Sequence, residues 1–213
     1  READRPFRHN VAMRIDAEGP ICLAGGAKVL AADATPPGLV ARFTFDDALI
    51  LDTSGKSNHA NIAEAPPTFG AGVGGHGHAA RFSGASYIEV RNHASYIEAG
   101  STFTLELWLY LRQDSTGDWR TVLHKGSRDE ERTPTIFLEP LTRGIELFVS
   151  TSDASQPKGE RVWSNSFIPL HRWTHIAAVV EGHSLRLYIN GMLDAENVTQ
   201  GTIIQNTGPL RIG

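Results

Sequence analysis

Asp46, Asp47, Asp52 and Asn58 fall within thirteen residues, around the polar stretch Asp52-Thr53-Ser54-Gly55-Lys56-Ser57-Asn58. Carboxylates and an amide oxygen this close along a chain suit a calcium ion, which takes roughly six to eight oxygen ligands. The same residues admit a second role. An Asp at the head of a turn accepts backbone N–H bonds and holds the turn itself. A second set is Trp119, Arg120, Lys125 and Arg128, with Arg132 and Trp163 further on. Indoles stack on sugar rings, and guanidinium groups fork onto carboxylates or sulfates. The set therefore reads as a ligand-binding face, against the competing reading of a solvated loop in which Asp129, Glu130 and Glu131 compensate the arginines. Asn197-Val198-Thr199 is the one N-x-[ST] triplet, which makes Asn197 a glycosylation site if the chain is exported by a eukaryote.

The catalytic patterns fail on spacing. His171 and His175 stand four apart but lack the Glu of H-E-x-x-H, and they run into β-type sequence. On a strand they would sit about 13 Å apart, too far to share a metal. His76-Gly77-His78 lies in a glycine-rich stretch, Gly70–Gly77, that has no G-K-[ST] ending and so is no phosphate loop. Retaining glycosidases need two carboxyls about 5 Å apart. Glu106 stands between Leu105 and Leu107, Glu139 precedes Pro140, and Glu146 has no carboxylate two residues to either side. There is no G-x-S-x-G, and Cys22 is remote from every motif.

Such side chains must be held by strands. Phe103 to Leu111 alternates strictly, with Phe103, Leu105, Leu107, Leu109 and Leu111 on one face and Thr104, Glu106, Trp108 and Tyr110 on the other. Trp173–Val180 reads as a long buried strand, and Trp108 and Trp173 read as packed in or beside the core. Thr135–Leu138 and Gly144–Val149 read as neighbours, and Leu39–Phe45 as a further strand. Asn190-Gly191 between two alternating runs predicts a type I′ hairpin, whose central residues both need positive φ. No segment of ten residues keeps helical periodicity. Ten to twelve short strands with glycine turns predict an all-β antiparallel β-sandwich jelly roll. Residues 1–37 differ, with a charged start and a small apolar run, Ile21–Ala32, of no clear period. They read as an irregular N-terminal extension before a domain over 38–213.

Composition narrows the function. Twenty Lys and Arg against 24 Asp and Glu give a net charge of −4 with no basic cluster, which argues against a nucleic-acid surface. No run of 18 apolar residues predicts a membrane span, and a single cysteine excludes an internal disulfide.

Four stretches in order resemble the laminin-G-like jelly-roll family of the concanavalin A-like lectin/glucanase fold. They are Phe43-Thr44-Phe45-Asp46-Asp47 with the Asp52–Asn58 turn; Gly77–Gly84 with Tyr87-Ile88-Glu89-Val90; Phe103–Leu109; and Trp173–Val179 followed by Leu185-Arg186-Leu187-Tyr188-Ile189-Asn190-Gly191. The resemblance covers roughly Leu39 to Gly213. It implies a non-catalytic recognition or adhesion module of a secreted or cell-surface protein, with a glycan or protein ligand, other domains of the same parent chain as neighbours, and calcium in some members. Relatives continue past a segment like Pro209–Gly213 into a strand that closes the sheet beside the first. Either the chain is part of a longer one, which is the expectation, or the extension fills that place. Two alternatives stand beside recognition: a structural domain without a small ligand, and a glycan-active enzyme of the same fold.

Overall fold

Phe103, Leu105, Leu107 and Leu109 are buried, and Glu106, Trp108 and Tyr110 between them are partly exposed, so alternation sets which face of this strand is core. The structure, a computed structural model, describes residues 10–14, 21–23, 38–46, 48–83, 86–98 and 101–213. Its strands in order are β1 (Asn10–Arg14), β2 (Ile21–Leu23), β3 (Arg42–Phe43), β4 (Ala60–Glu64), β5 (Thr68–Ala71), β6 (His78–Phe82), β7 (Ser86–Val90), β8 (Thr102–Tyr110), β9 (Arg120–Lys125), β10 (Thr135–Leu138), β11 (Ile145–Val149), β12 (Glu160–Trp163), β13 (Trp173–Glu181), β14 (Ser184–Ile189), β15 (Met192–Val198) and β16 (Leu210–Ile212). The one α-helix among the described residues is a short turn, α1 (Ala94–Glu98).

Two sheets enclose one core. One runs β15-β14-β13-β8-β2-β6-β5, with β1 also on β8; the other runs β12-β11-β10-β9-β16-β7-β4. Leu107, Leu109, Ile176 and Ala178 from the first meet Leu123, Ile136, Leu138, Leu147 and Ile212 from the second in a continuous apolar cluster. The expected hairpin joins β14 to β15, with Asn190 at φ 50° and Gly191 at φ 81°. β10 and β11 are antiparallel neighbours, and β13 lies between β8 and β14.

Three expectations change. The strand expected over Leu39–Phe45 shrinks to Arg42–Phe43, because Phe45 (φ 59°) and Ala48 (φ 53°) turn the chain away. The start of the glycine stretch is strand rather than loop: Gly70 and Ala71 belong to β5, where a Cβ on Gly70 would collide with the Arg81 side chain. The extension is not irregular throughout. β1 runs parallel to β8 and also pairs with β3, the first strand of the domain, while β2 bridges β8 and β6.

Candidate ligand-binding face

The Asp52 turn is a closed hydrogen-bond unit. Oδ1 accepts from the Arg42 N–H (2.8 Å) and the Ser54 N–H (2.9 Å); Oδ2 accepts from the Asn58 N–H (2.9 Å) and the Ser54 hydroxyl (2.7 Å). Asn58 spends its Nδ2 on the Val40 carbonyl (2.8 Å) and Ser95 Oγ (3.1 Å). Asp52 and Asn58 are both buried, whereas Asp46 is exposed at a turn where its backbone carbonyl meets His78 Nδ1 at 2.7 Å. Asp47 lies outside the described residues. Among these, no group of three His, Cys, Asp or Glu side chains stands close enough to hold a metal ion. The described donor set fits a clamped turn rather than calcium, because both Asp52 oxygens already accept two hydrogen bonds each.

Trp119, Arg120, Lys125 and Arg128 do not come together on one face. Arg120 and Lys125 sit at the two ends of β9 and both point inward, 6% and 3% exposed. A register shift opposite Ile136 and Phe137 lets two residues five apart face the same way. Arg120 donates to the Gln113 and Asp114 carbonyls. Lys125 Nζ donates to Asn206 O (2.8 Å), Asn92 Oδ1 (3.0 Å) and Gly208 O (3.1 Å), which pins the loop before β16. Burial pulls its pKa down to about 8. The other two point outward: Arg128 pairs with Glu131 (3.3 Å), and Trp119 is half exposed, edge-on to Phe137 with ring centroids 5.7 Å apart.

That outer face of the seven-stranded sheet carries a row that sequence reasoning did not assemble. Alternation puts Arg161 and Trp163 of β12, Glu146 and Phe148 of β11 and Phe137 of β10 on it, with Glu146 opposite Trp163 and Phe137, and Phe148 opposite Arg161. The Arg161 guanidinium lies over Trp163 (4.4 Å to the ring centroid) and Phe148 (5.2 Å). Arg132 lies over Phe148 (4.8 Å) and Phe137 (5.5 Å). Aromatic faces are electronegative, so each cation is attracted to the rings it covers. Glu146 is fully buried beneath the row, with Oε1 3.2 Å from Arg161 Nε. Burial raises its pKa to about 7, the Arg161 charge and the Trp163 indole pull the other way, and Glu139 pushes it up further. The signal was present as the i, i+2 pairs Glu146/Phe148 and Arg161/Trp163. Their meeting needs the β11–β12 register, which local spacing does not contain.

A cleft opens at each end of the row. At one end, between edge strands β12 and β15, the walls are Trp163, Gln156, Asn197, Gln200, Asp153 and Glu196. Asn197 is exposed and its Nδ2 donates to the Arg161 carbonyl (2.8 Å), which ties the edge of one sheet to the edge of the other. Glu160 accepts from the N–H groups of Gln200 (2.6 Å) and Gly201 (3.0 Å) and from Thr151 Oγ1 (2.7 Å). Burial alone would raise its pKa, but these bonds hold it below the usual carboxylate range. At the other end the walls are Tyr87, His124, Arg128, Arg132, Phe137 and Arg211, with Arg211 paired to Glu89 at 3.0 Å. Burial, then the neighbouring arginines, lowers the His124 pKa.

The nine-stranded sheet has its own outer aromatics. Trp108 meets His175 and Tyr110 meets Trp173, each pair at 5.2 Å, while His171 turns to Tyr110 at 6.3 Å. The two histidines thus have different ring partners. Trp108 and Trp173 are both half-buried, and Trp173, with Tyr110, packs against the edge of the apolar core, as expected for a tryptophan beside it. Glu106 beside them is raised in pKa by burial.

The fold is a two-sheet β-sandwich whose seven-stranded sheet displays this row of side chains on its outer face. Residues 82–213 match a laminin-G-type family model described as the Concanavalin A-like lectin/glucanases superfamily, and the chain belongs to that superfamily. Among solved structures, it is similar to domain 4 of AbnA, a GH43 extracellular arabinanase from Geobacillus stearothermophilus, in complex with arabinotriose: 19% identity, 81% of this chain and 82% of that one, TM-score 0.59. It is also similar to the binding domain of botulinum neurotoxin DC in complex with SialylT, at 11% identity, 79% of this chain, 44% of that one and TM-score 0.53. The receptor-binding domain of the botulinum neurotoxin C/D mosaic serotype matches at 15% identity, 79% of this chain, 43% of that one and TM-score 0.55. The chain therefore spans less than half of those toxin domains. No curated relative matches it by sequence. Among the described residues no helix is long and apolar enough to cross a membrane.

Proposed function

We propose that this chain is a non-catalytic recognition module that binds glycans through the outer face of the seven-stranded sheet, within a secreted or cell-surface protein. The observation that carries this reading is the layered row of Trp163, Arg161, Phe148, Arg132, Phe137 and Trp119, with a half-exposed indole at each end, one cleft beside Trp163 and another lined by Arg132 and Phe137. The stacked guanidinium groups cover Phe148 and Phe137 and brace the layer, so that the two half-exposed indoles, Trp163 and Trp119, offer the sugar-stacking surface at low entropic cost. The arabinotriose and SialylT complexes of similarly folded domains support it.

Glu146, with Glu139 close by and a raised pKa, is the nearest approach to an acid catalyst. A general acid must reach the glycosidic oxygen, and Glu146 has no exposed surface. In this reading it holds Arg161 and Trp163 in place. Asp52 likewise clamps a turn, so melting temperature is the same in EDTA and in calcium; a calcium-dependent rise would restore the metal reading. Asn197, exposed on the wall of the β12–β15 cleft, is in this proposal a glycosylation site if the chain is exported by a eukaryote.

The test is a binding screen against oligosaccharides run beside a reducing-end assay on the same sugars. The expected result is saturable binding without turnover. Turnover that Glu146→Gln abolishes would overturn the non-catalytic reading, and absence of binding to any glycan would overturn the glycan reading.

A further inference from the structure

Resting on the glycan reading, we infer that the cleft between β12 and β15 is a sugar subsite and that its ligand is an uncharged saccharide. Trp163 supplies the stacking surface. The indole is 49% exposed, and Arg161 fixes its position from one side. Gln156 and Gln200 are exposed on the same walls, beside Asn197, whose Nδ2 donates to the Arg161 carbonyl and whose Oδ1 accepts from the Val198 N–H. A carboxamide presents a donor and an acceptor side by side, the arrangement that vicinal hydroxyls pair with.

Charge selects the class. The walls hold the carboxylates of Asp153, Glu160 and Glu196 against one lining cation, Arg161, which is already paired with Glu146; Arg186, behind the wall, stands 3.9 Å from Glu196. An anionic sugar would meet net negative potential there, whereas hydroxyls can donate to those carboxylates. The walls are also preorganised. Glu160 pins the loop at Gln200 and Gly201, and the Asn197–Arg161 bond links the two sheets across the floor. The opposite end sets Arg128, Arg132 and Arg211 against one lining carboxylate, Asp129, with Arg128 and Arg211 paired to Glu131 and Glu89; arginines outnumber carboxylates on its walls, and it is not the neutral-sugar site.

Isothermal titration of the full chain with neutral trisaccharides of arabinose, xylose, glucose and fructose, and with trigalacturonate and a chondroitin sulfate tetrasaccharide, tests this. Trp163→Ala, Gln156→Ala and Trp119→Ala are compared after circular dichroism confirms each fold. The expected result is binding of a neutral sugar that Trp163→Ala weakens about tenfold or more, as loss of a central aromatic contact does. Gln156→Ala should weaken it severalfold, and Trp119→Ala, at the far end of the row, should weaken it less than either. If Trp163→Ala fails to fold, the exposed Gln156 position carries the decision. Preference for the acidic sugars, or neutral binding that survives Trp163→Ala and Gln156→Ala but is lost in Trp119→Ala, overturns the inference and leaves the glycan reading standing. No binding to any of the sugars removes both.

Discussion

At the β12 end of the outer face, Trp163 meets amides and carboxylates; at the β9–β16–β7 end, three arginines and a histidine crowd around Tyr87 and Phe137. A buried charge of opposite sign lies under each end. Glu146 sits beneath Trp163 and Arg161, and Lys125 is buried on the core side of β9, next along the strand to His124. The two differ in how their burial is compensated. Lys125 gives its protons to three oxygens of neutral groups and acts as a clamp between the loops before and after it in space. Glu146 has one close cation, and that cation also stacks on two rings. Each buried charge thus supports a different thing: Lys125 the backbone of the cationic end, Glu146 the side-chain layer of the neutral end.

Breaking the clamp should have the largest effect. Lys125→Met leaves the Asn206 and Gly208 carbonyls without their donor, and an unsatisfied buried acceptor costs about 1–3 kcal/mol. Urea denaturation should therefore show a loss on the order of 3 kcal/mol. Because the folded-state pKa of Lys125 is depressed below its unfolded value, the unfolded chain holds the extra proton, and its share of stability grows as pH rises from about 8 toward the ordinary lysine range. Lys125→Met should remove that slope.

Glu146→Gln should have a smaller effect and the opposite sign. The folded-state pKa is raised to about 7, so the stability Glu146 contributes is complete below the ordinary carboxylate range and is lost as pH rises through about 7. Thermal melts of the parent should fall between pH 5 and pH 8 relative to Glu146→Gln, with the variant the more stable at pH 8 by on the order of 1 kcal/mol. If the two curves run parallel, Glu146 is not the buried carboxyl described here. Together the pair converts a static contrast between two ends into two pH slopes of opposite direction.

The scaffold was plain in the sequence wherever alternation was strict. Phe103–Leu111 and Trp173–Val180 became β8 and β13, and Asn190-Gly191 became the β14–β15 turn, because period two and positive φ are local properties. The face was only half legible. Trp119 and Arg128 do point outward, but the register shift in β9 turned Arg120 and Lys125 into the core, and a shift of that kind depends on the partner strand. Glu146, Arg161 and Trp163 lie far enough apart in the chain that only the β11–β12 pairing unites them. The Asp52 turn carried two readings of equal residue content. Which atoms accept which hydrogens separates them, and that is fixed by the fold around Arg42 and Asn58.

The four tryptophans divide evenly between the two outer faces, Trp119 and Trp163 on the seven-stranded sheet and Trp108 and Trp173 on the nine-stranded one. Their indole N–H signals in a 15N–1H correlation spectrum therefore report directly on where a sugar lands. Titrating the tightest-binding neutral trisaccharide should move the Trp163 signal in proportion to occupancy and leave Trp108 and Trp173 in place. Shifts confined to Trp108 and Trp173 would put the ligand on the opposite sheet and contradict the account.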